Sequence, residues 1–278
     1  MTALCRWCSD VRRDGDEALF EARLTDLCRR AETKYEVAVG DFLSPGEAAM
    51  AKTILARLRP EGIPLFFGGY AGSERVRVVI LPPYMETEEP LDGSSLQRIY
   101  PDVARDAVAA ILVKGSGFRK LSHRDYMGSV LALGLERAVI GDIILQDECS
   151  AVIFCDPRIQ PYLAQELKKI GNDAVRIESF DVPEGFTVER QFKPVRDTIA
   201  SPRLDCIVAA LAGLSREKAQ MTIRAEAVEV DHLPEDRVDR LVAAGSIIAI
   251  RRVGKFVVRS VDEQTKKGRY RLEADMYI

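Results

Sequence analysis

Long hydrophobic runs are missing from this chain. No segment approaches the roughly 18 consecutive apolar residues that a membrane-spanning helix needs, and residues 1–10 lack the apolar stretch of a secretory signal. Histidine is also scarce, because only His123 and His232 are present. The Cys5-x-x-Cys8 pair therefore has no second pair of ligands at zinc-like spacing. We expect a cytoplasmic protein with reduced thiols, no membrane partner, no metal site and no cofactor.

Several catalytic signatures are missing as well. The string His123-Arg124-Asp125 has neither a glycine-rich phosphate loop nor a DFG segment to accompany it, and Val130 stands where a kinase needs a metal-binding Asn. No G-x-G-x-G loop follows a strand, as a methyl-donor site requires, and no HIGH-type or KMSKS-type segment of a tRNA synthetase is present. We therefore expect no catalytic residues.

The charge is unevenly distributed over the 278 residues. The chain as a whole carries a net charge of −3 and is 47% hydrophobic. Residues 1–189 hold 23 basic and 30 acidic side chains, whereas residues 190–278 hold 17 basic and 13 acidic ones. The last third is thus a basic module on an acidic body, which favours an anionic partner for that end.

Glycine and proline punctuation, together with hydrophobic periodicity, predicts an α+β fold with three parts, 1–84, 85–185 and 190–278. We expect the first two parts to form a two-lobed α/β body similar to an α-β plait. A helix opens at Ser44-Pro45, the run 107–113 is typical of a strand, and Pro157 starts a helix to Ile170. In the last part, Ser201-Pro202 starts a helix, Ser215 caps a second one, and several short strands follow.

The last part carries a recognisable order of segments. SPRLDCIVAALAGLSREKAQMTI is followed by VEV, by AAGSIIAIRRVGKF and by TKKGR. In order and spacing, residues 200–270 resemble the S4 RNA-binding domain. The chain departs from that pattern at Ala225-Glu226, where a glycine is usual, at Asp231, where Asn is usual, and at Ser246, where Asp is usual. These departures predict a weaker affinity for RNA than is typical of the domain.

The S4 resemblance implies that basic side chains on the helices and on the following strands and loop contact a phosphate backbone. The alternative is that Arg203 pairs with Asp205 to hold the two helices together and that the two loop lysines are merely solvated. The residues expected to bind RNA are Arg203, Arg216, Lys218, Arg224, Lys255, Lys266, Lys267 and Arg269.

Two sequence segments in the body indicate which family of S4-domain proteins the chain resembles. FFGGYAGSERVR (66–77) and KLSHRDYMGSVLALGLERAVIGDII (120–144) resemble the YlmH family of bacterial S4-domain proteins. The resemblance implies a central RNA-binding domain over 85–185 and a non-enzymatic factor in ribosome-associated quality control. Such a factor binds ribosomal RNA and tRNA on a stalled large ribosomal subunit. The family is also linked to cell division. We expect a monomer.

The body offers further candidate contacts. Arg119 and Lys120, next to glycines, are expected to contact phosphate. His123 and Arg124 either hydrogen-bond the neighbouring Gly141-Asp142 turn or bind RNA. Tyr70, after a glycine pair, either stacks on an unpaired base or closes a small core.

Two other classes of function remain open. One is an S4-domain RNA-modifying enzyme, although the single RLD segment of the chain, Arg203 to Asp205, belongs to the binding module itself. The other is a cell-division-linked interaction protein whose acidic body is the working surface.

Overall fold

The structure, a computed structural model, describes residues 14–85, 89, 91–183, 185–262 and 268–278. Cys5, Cys8, Lys266 and Lys267 lie outside these residues. The chain divides into a body, Asp14–Val188, and a C-terminal unit, Glu189–Ile278. A further division of the body near residue 84 stays a prediction. Among the described residues, no helix combines the length and the hydrophobicity needed to cross a membrane.

The first part of the body places two helices on one face of a three-stranded antiparallel sheet. Its elements are α1 Asp14–Lys34, β1 Ala38–Leu43, α2 Pro45–Leu58, β2 Ile63–Phe67 and β3 Val76–Leu81, with the strand order β1-β3-β2. Helix α2 starts where it is predicted, because the Ser44 hydroxyl accepts from the Glu47 amide and the Glu47 carboxylate accepts from the Ser44 amide. Strand β1 is not predicted: its register with β3 shifts between Val39 and Phe42, and such a bulge breaks the alternation that identifies a strand.

The second part of the body is an α-β plait, as predicted. Its elements are α3 Leu96–Ile99, α4 Pro101–Ala107, β4 Ala109–Lys114, α5 His123–Leu131, β5 Ile140–Leu145, β6 Ser150–Cys155, α6 Gln160–Glu166, β7 Lys169–Ile170, β8 Asp173–Ala174 and β9 Arg176–Ser179. Strands β4, β5, β6 and β9 form an antiparallel sheet in the order β5-β6-β4-β9. Together with α5 and α6, they follow the β-α-β-β-α-β order of the split βαβ fold.

Two element boundaries in the plait differ from the prediction. The predicted strand 107–113 begins only at Ala109, because Pro101 to Ala107 form a helix. The predicted helix 157–170 ends at Glu166, and the chain then makes the small hairpin β7–β8 around Gly171, which has a φ of 58°. The glycine marks a hairpin turn here rather than the end of a helix.

The plait sheet is buried on both faces. Tyr126, Val130 and Leu163, from α5 and α6, cover one face. The other face, which includes Ala110, Val152 and Phe154, packs against the sheet of the first part through residues such as Phe42 and Val79. The contact is close at Gly69 and Gly141. A Cβ on Gly69 would lie 2.5 Å from the Phe154 ring, and one on Gly141 would lie 2.7 Å from the Phe42 ring.

The C-terminal unit packs two helices on a six-stranded antiparallel sheet. The two helices and the strands after them are predicted, whereas the strand that precedes the helices, Phe192–Ile199, is not. Its elements are β10 Phe192–Ile199, α7 Leu204–Ala212, α8 Arg216–Arg224, β11 Val228–Val230, β12 Leu233–Pro234, β13 Ile247–Ile250, β14 Gly254–Asp262 and β15 Tyr270–Tyr277. The strand order is β10-β15-β14-β13-β11-β12. Helix α7 begins at Leu204 and not at Pro202, because the Pro202 carbonyl accepts from the Val242 amide and Arg203 forms a bridge to Leu241.

Two of the three departures from the S4 pattern, at Glu226 and Asp231, fall on unusual backbone positions. Glu226, just after α8, has a φ of 51°, and Asp231 has a φ of 54°. These left-handed conformations suit Gly and Asn. Asp231 also accepts a hydrogen bond from the Ile247 amide (2.9 Å), so its carboxylate fixes the turn. At this left-handed position Glu226 has a Cβ atom, which the glycine of the S4 pattern lacks.

We expect Glu226→Gly to stabilise the C-terminal unit. Since the left-handed conformation costs an L-residue about 1–2 kcal/mol, and glycine loses about 0.5–1 kcal/mol through its freer unfolded chain, the net gain should be about 0.5–1 kcal/mol. Hydrogen exchange of the α8 amides in the full chain measures it. Glu226→Ala is the matched control, because it removes the same charge and keeps Cβ. Equal stabilities for the two variants would contradict the prediction.

A buried ion pair links the sheets and α4 in the body. Arg77 is 4% exposed, and its guanidinium lies 3.0 Å from the Asp156 carboxylate, which is 2% exposed. The same side chain donates to the carbonyls of Gly40 (2.6 Å) and Ala107 (2.7 Å). Arg158 pairs with Asp156 from the outside and is 76% exposed.

We expect Arg77→Met to destabilise the body by about 3 kcal/mol, because it leaves a buried carboxylate and two carbonyls without their donor. Arg158→Met should cost under about 1 kcal/mol, since its pairing is solvent-exposed. Native-state hydrogen exchange of the buried strand β6 measures both in the full chain. A cost for Arg158→Met as large as that for Arg77→Met would refute this assignment.

Candidate nucleic-acid interface

The plait sheet itself is closed to nucleic acid. RNA-binding domains with this topology commonly stack bases on aromatic residues of the open sheet face. Here, Ala110 is 5% exposed, and Val152 and Phe154 are 0% exposed under the neighbouring sheet. An RNA ligand of the body must therefore contact a surface other than this sheet face.

The loop between β4 and α5, residues 115–121, carries two adjacent exposed cations, Arg119 and Lys120; we call it the basic loop. Its first end is fixed by hydrogen bonds from the Gly115 amide to the Cys149 carbonyl (2.8 Å) and from the Ser116 amide to Asp173 (2.9 Å). The Ser116 hydroxyl also donates to Asp173. Its second end is fixed by the Leu121 amide, which donates to the Glu148 carbonyl (2.7 Å).

The basic loop exposes three large side chains in a row. Phe118 is 93% exposed, and Arg119 and Lys120 are also exposed. Lys120 forms an ion pair with Glu148 (2.8 Å) in which both side chains remain largely in solvent. Hydrogen bonds from Ser116, and then the charge of Arg119, hold the pKa of Asp173 below its usual value.

Helix α5 begins directly after the basic loop. The Ser122 amide and hydroxyl both donate to Asp125 (2.8 and 2.7 Å), so these two residues cap the helix. His123 and Arg124 are exposed in the first turn. Partial desolvation lowers the pKa of His123, against the opposing charge of Asp142. His123 thus lies near Asp142, but the alternative of RNA contact remains open for both residues.

Tyr70 closes a small core, which is one of the two alternatives that the sequence left open. Its ring is buried and cannot stack on a base. It is 6% exposed, its ring packs against Phe154 at 4.9 Å between centroids, and its hydroxyl donates to Asp142 (2.7 Å). Asp142 also accepts from the amides of Glu74 (2.7 Å) and Arg75 (3.0 Å). The strings 66–77 and 120–144 therefore meet at the contact between the two sheets.

In the C-terminal unit, Asp205 organises the start of both helices. It is 0% exposed and accepts from Arg203 (3.2 Å), Arg216 (2.9 Å) and Gln220 (2.8 Å). This is the alternative in which Arg203 pairs with Asp205 and holds the helices together. Arg216 joins the same cluster, which the sequence did not indicate.

The two arginines of this cluster differ in what they leave exposed. Arg203 donates to Asp205 from both Nε and a terminal nitrogen, and its side chain is 35% exposed. Arg216 bonds Asp205 through Nε and is 53% exposed. The outer nitrogens of Arg216 can therefore donate to a phosphate while Asp205 fixes the orientation of the guanidinium.

The other predicted basic residues of the unit are dispersed. Lys218 and Arg224 are exposed on α8. Lys255 lies over the Tyr277 ring at 4.8 Å, and Arg269 donates to the Thr198 carbonyl. The structure brings Arg203 and Arg216 together on Asp205, whereas Lys218 and Arg224 are exposed at other positions of α8.

Phe118 is the feature that sequence reasoning missed. A single aromatic residue between Gly117 and Arg119 was the available signal, because an isolated apolar residue in a glycine-containing basic segment has no periodic partners with which to form a core.

Comparison with known proteins identifies the family. Residues 17–85 match the domain family described as "YlmH, N-terminal", and residues 109–184 match "Putative RNA-binding domain in YlmH". The chain belongs to the YlmH family. The predicted family is thus confirmed, and the plait is the part that matches the family's RNA-binding domain.

Two individual proteins are similar to this YlmH-family chain. The "Ribosome-associated protein quality control protein P2" of Bacillus subtilis (strain 168) is 26% identical over 257 residues, which are 92% of this chain and 94% of that protein. The solved structure "Cell division protein ylmH from Streptococcus pneumoniae" is 23% identical, matches 62% of this chain and 95% of that chain, and has a TM-score of 0.47.

We expect the C-terminal unit to lose stability in acid through Asp205. Burial raises the pKa of this carboxyl, but hydrogen bonds from Gln220, Arg216 and Arg203 lower it to about 2. Because this is below the unfolded value of about 3.9, the stabilisation is present above pH ~4 and disappears as the pH falls toward ~2.

Asp205→Asn should lower stability at neutral pH and flatten the acid dependence over that interval. Hydrogen exchange of the α7 amides in the full chain, measured across the interval, tests this. Asp239→Asn, an exposed position in the same unit, is the control and should keep the wild-type profile. Part of the acid dependence of stability should remain in Asp205→Asn, because Glu235 also has a pKa of about 2. If Asp205→Asn kept the full wild-type acid dependence, a group other than Asp205 would cause it.

Proposed function

We propose that this protein is a cytoplasmic, non-enzymatic RNA-binding factor of the large ribosomal subunit. It contacts ribosomal RNA and tRNA there, in the quality control of stalled nascent chains. The observation that carries the proposal is similarity over nearly the full length to a protein named for ribosome-associated quality control. The match of residues 109–184 to an RNA-binding domain family supports it.

The distribution of charge supports RNA as the ligand. Lys218 and Arg224 lie exposed on α8, and Arg216, at the start of the same helix, is 53% exposed. The body contributes the basic loop as a separate cationic surface. With a net charge of −3 for the whole chain, these surfaces favour a shaped RNA site over indiscriminate coating of RNA.

The contacts of Asp205 argue against one enzymatic alternative. An RNA-modifying enzyme that used the RLD segment, Arg203 to Asp205, would need the carboxylate to reach a base. Asp205 is 0% exposed and is held by three side chains of its own unit. Its carboxylate serves the helix pair.

Co-sedimentation with purified ribosomal subunits tests the proposal. We expect the protein to pellet with large subunits at low salt and to dissociate steeply as the salt concentration rises, because phosphate contacts release counterions. Small subunits are the control. Absence of binding at low salt, or equal binding to both subunits, would contradict the proposal. Binding to a cell-division protein without RNA would favour the interaction-protein alternative.

We expect Lys218→Gln/Arg224→Gln to weaken binding to the large subunit. Each lost phosphate contact lowers the slope of log K against log salt by about 0.7–0.9, so the double variant should lose about 1.5 in slope and on the order of tenfold in affinity. Arg203 and Arg216 are left intact, because their removal would leave Asp205 buried without its cations.

The matched control for this variant is Arg196→Gln/Arg271→Gln. It removes the same charge from exposed positions on β10 and β15 of the same unit, and it should keep the wild-type slope. Equal loss of slope in both double variants would mean that net charge, and not the α8 surface, governs binding.

A further inference from the structure

The exposure of Phe118 has no explanation in the folding of the body. Its side chain is 93% exposed, whereas the other nine of the chain's ten phenylalanines are buried or half-buried. Full burial of a phenylalanine stabilises a fold by about 1.5–3 kcal/mol. The chain forgoes that stabilisation at this position, so the ring is available to a ligand.

The backbone that carries the ring is also held in place by the loop. Gly117, with a φ of 84°, turns the backbone immediately before Phe118, and the Ser116 hydroxyl accepts from the Phe118 amide (3.4 Å). The hydrogen bonds of Ser116 to Asp173 lie two residues before the ring, and the hydrogen bond of Leu121 to Glu148 lies three residues after it. A ring presented from two fixed ends loses little conformational freedom when it binds.

The residues around the ring indicate what kind of ligand it can bind. Arg119 follows it, is exposed, and makes no hydrogen bond or ion pair with the rest of the described chain. Arg124 and Lys120 are exposed close by in sequence, and the partner of Lys120, Glu148, is itself in solvent. The other exposed residues of the loop are glycine and serine. An apolar protein groove or a bilayer requires several apolar side chains together, so a lone ring among cations fits a flat, anionic ligand better.

We propose that Phe118 stacks on an unpaired nucleobase of RNA while Arg119 contacts the adjoining phosphate. This inference rests on the proposed RNA-binding function and adds the kind of RNA that the body recognises. Bases inside a duplex are stacked on their neighbours and have no free face, whereas bases in loops and single strands can stack on an aromatic side chain. The basic loop therefore takes over the role that the buried plait sheet cannot play.

The first test compares a hairpin RNA with a large unpaired loop and the same hairpin whose loop is paired to a complementary oligonucleotide. Phe118→Leu keeps an apolar side chain and removes the ring. We expect it to bind the open hairpin roughly tenfold more weakly, as the loss of one stacked base implies, and the paired form as the wild type does. Its salt dependence should be unchanged, because the ring carries no charge.

Two further variants separate stacking from other effects. Arg119→Gln should lower the salt slope by about 0.7–0.9, which Phe118→Leu does not. Tyr162→Leu, which removes a 43% exposed aromatic ring from α6, should bind both RNAs as the wild type does.

A fluorescence signal reports the stack directly. Trp7 is the single tryptophan of the chain, so Trp7→Phe/Phe118→Trp places the only tryptophan in the basic loop. The open hairpin should quench its fluorescence and the paired hairpin should not.

The outcomes distinguish the two proposals. If the wild type binds neither hairpin and also fails to pellet with large subunits, the RNA-binding function fails and this inference fails with it. If it pellets with large subunits but binds neither hairpin, this inference alone is overturned. If the wild type binds RNA but Phe118→Leu binds the open hairpin equally well, or the tryptophan introduced by Phe118→Trp is not quenched, the inference alone is overturned. Equal weakening toward both hairpins would also overturn it, because the ring would then not discriminate unpaired bases.

Discussion

Asp142 joins the two sheets of the body through three hydrogen bonds, and the rest of the body depends on that contact. Its carboxylate accepts from the Tyr70 hydroxyl and from the amides of Glu74 and Arg75. The sheets can approach because Gly69 and Gly141 carry no side chain where the rings of Phe154 and Phe42 lie. The segments 66–77 and 120–144, which indicated the family, thus form the contact between the two sheets. Because this contact covers one face of the plait sheet, an RNA ligand can bind the body only at its other surfaces.

A second buried carboxylate plays the corresponding part in the C-terminal unit. Asp205 collects donors from the start of α7 and from the first two turns of α8. Burial of a charge requires such partners. Arg216 thereby has two roles, since it stabilises the helix pair and keeps part of its guanidinium in solvent. The RNA contact proposed for Arg216 would share its side chain with this structural contact, and alanine substitution at Arg216 would not separate the two.

The sequence allowed much of the fold to be predicted where local signals and tertiary packing agree. The capping box at Ser44 and the helices of the C-terminal unit are examples. Predictions failed where tertiary structure overrode the local pattern. The bulge in β1 disrupts its alternation, and Gly171 makes a hairpin where a helix end was expected. For the candidate site, the resemblance to the S4 domain indicated the cations of the C-terminal unit, and their role stays a prediction. Their partners could not be predicted, because the position of Gln220 and Arg216 around Asp205 depends on how the helices pack.

The strand order of the C-terminal unit sets when this unit can fold during its own synthesis. Strand β15, the most C-terminal of the sheet, lies between β10, the first strand of the unit, and β14. Strand β10 pairs with β15 at all eight of its positions, from Phe192 with Tyr277 to Ile199 with Tyr270. Until Tyr277 has left the exit tunnel, β10 has no partner in this sheet, whereas every element of the body has already emerged. The body can therefore fold first, and the nascent C-terminal unit exposes an incomplete sheet edge until translation has passed its last strand.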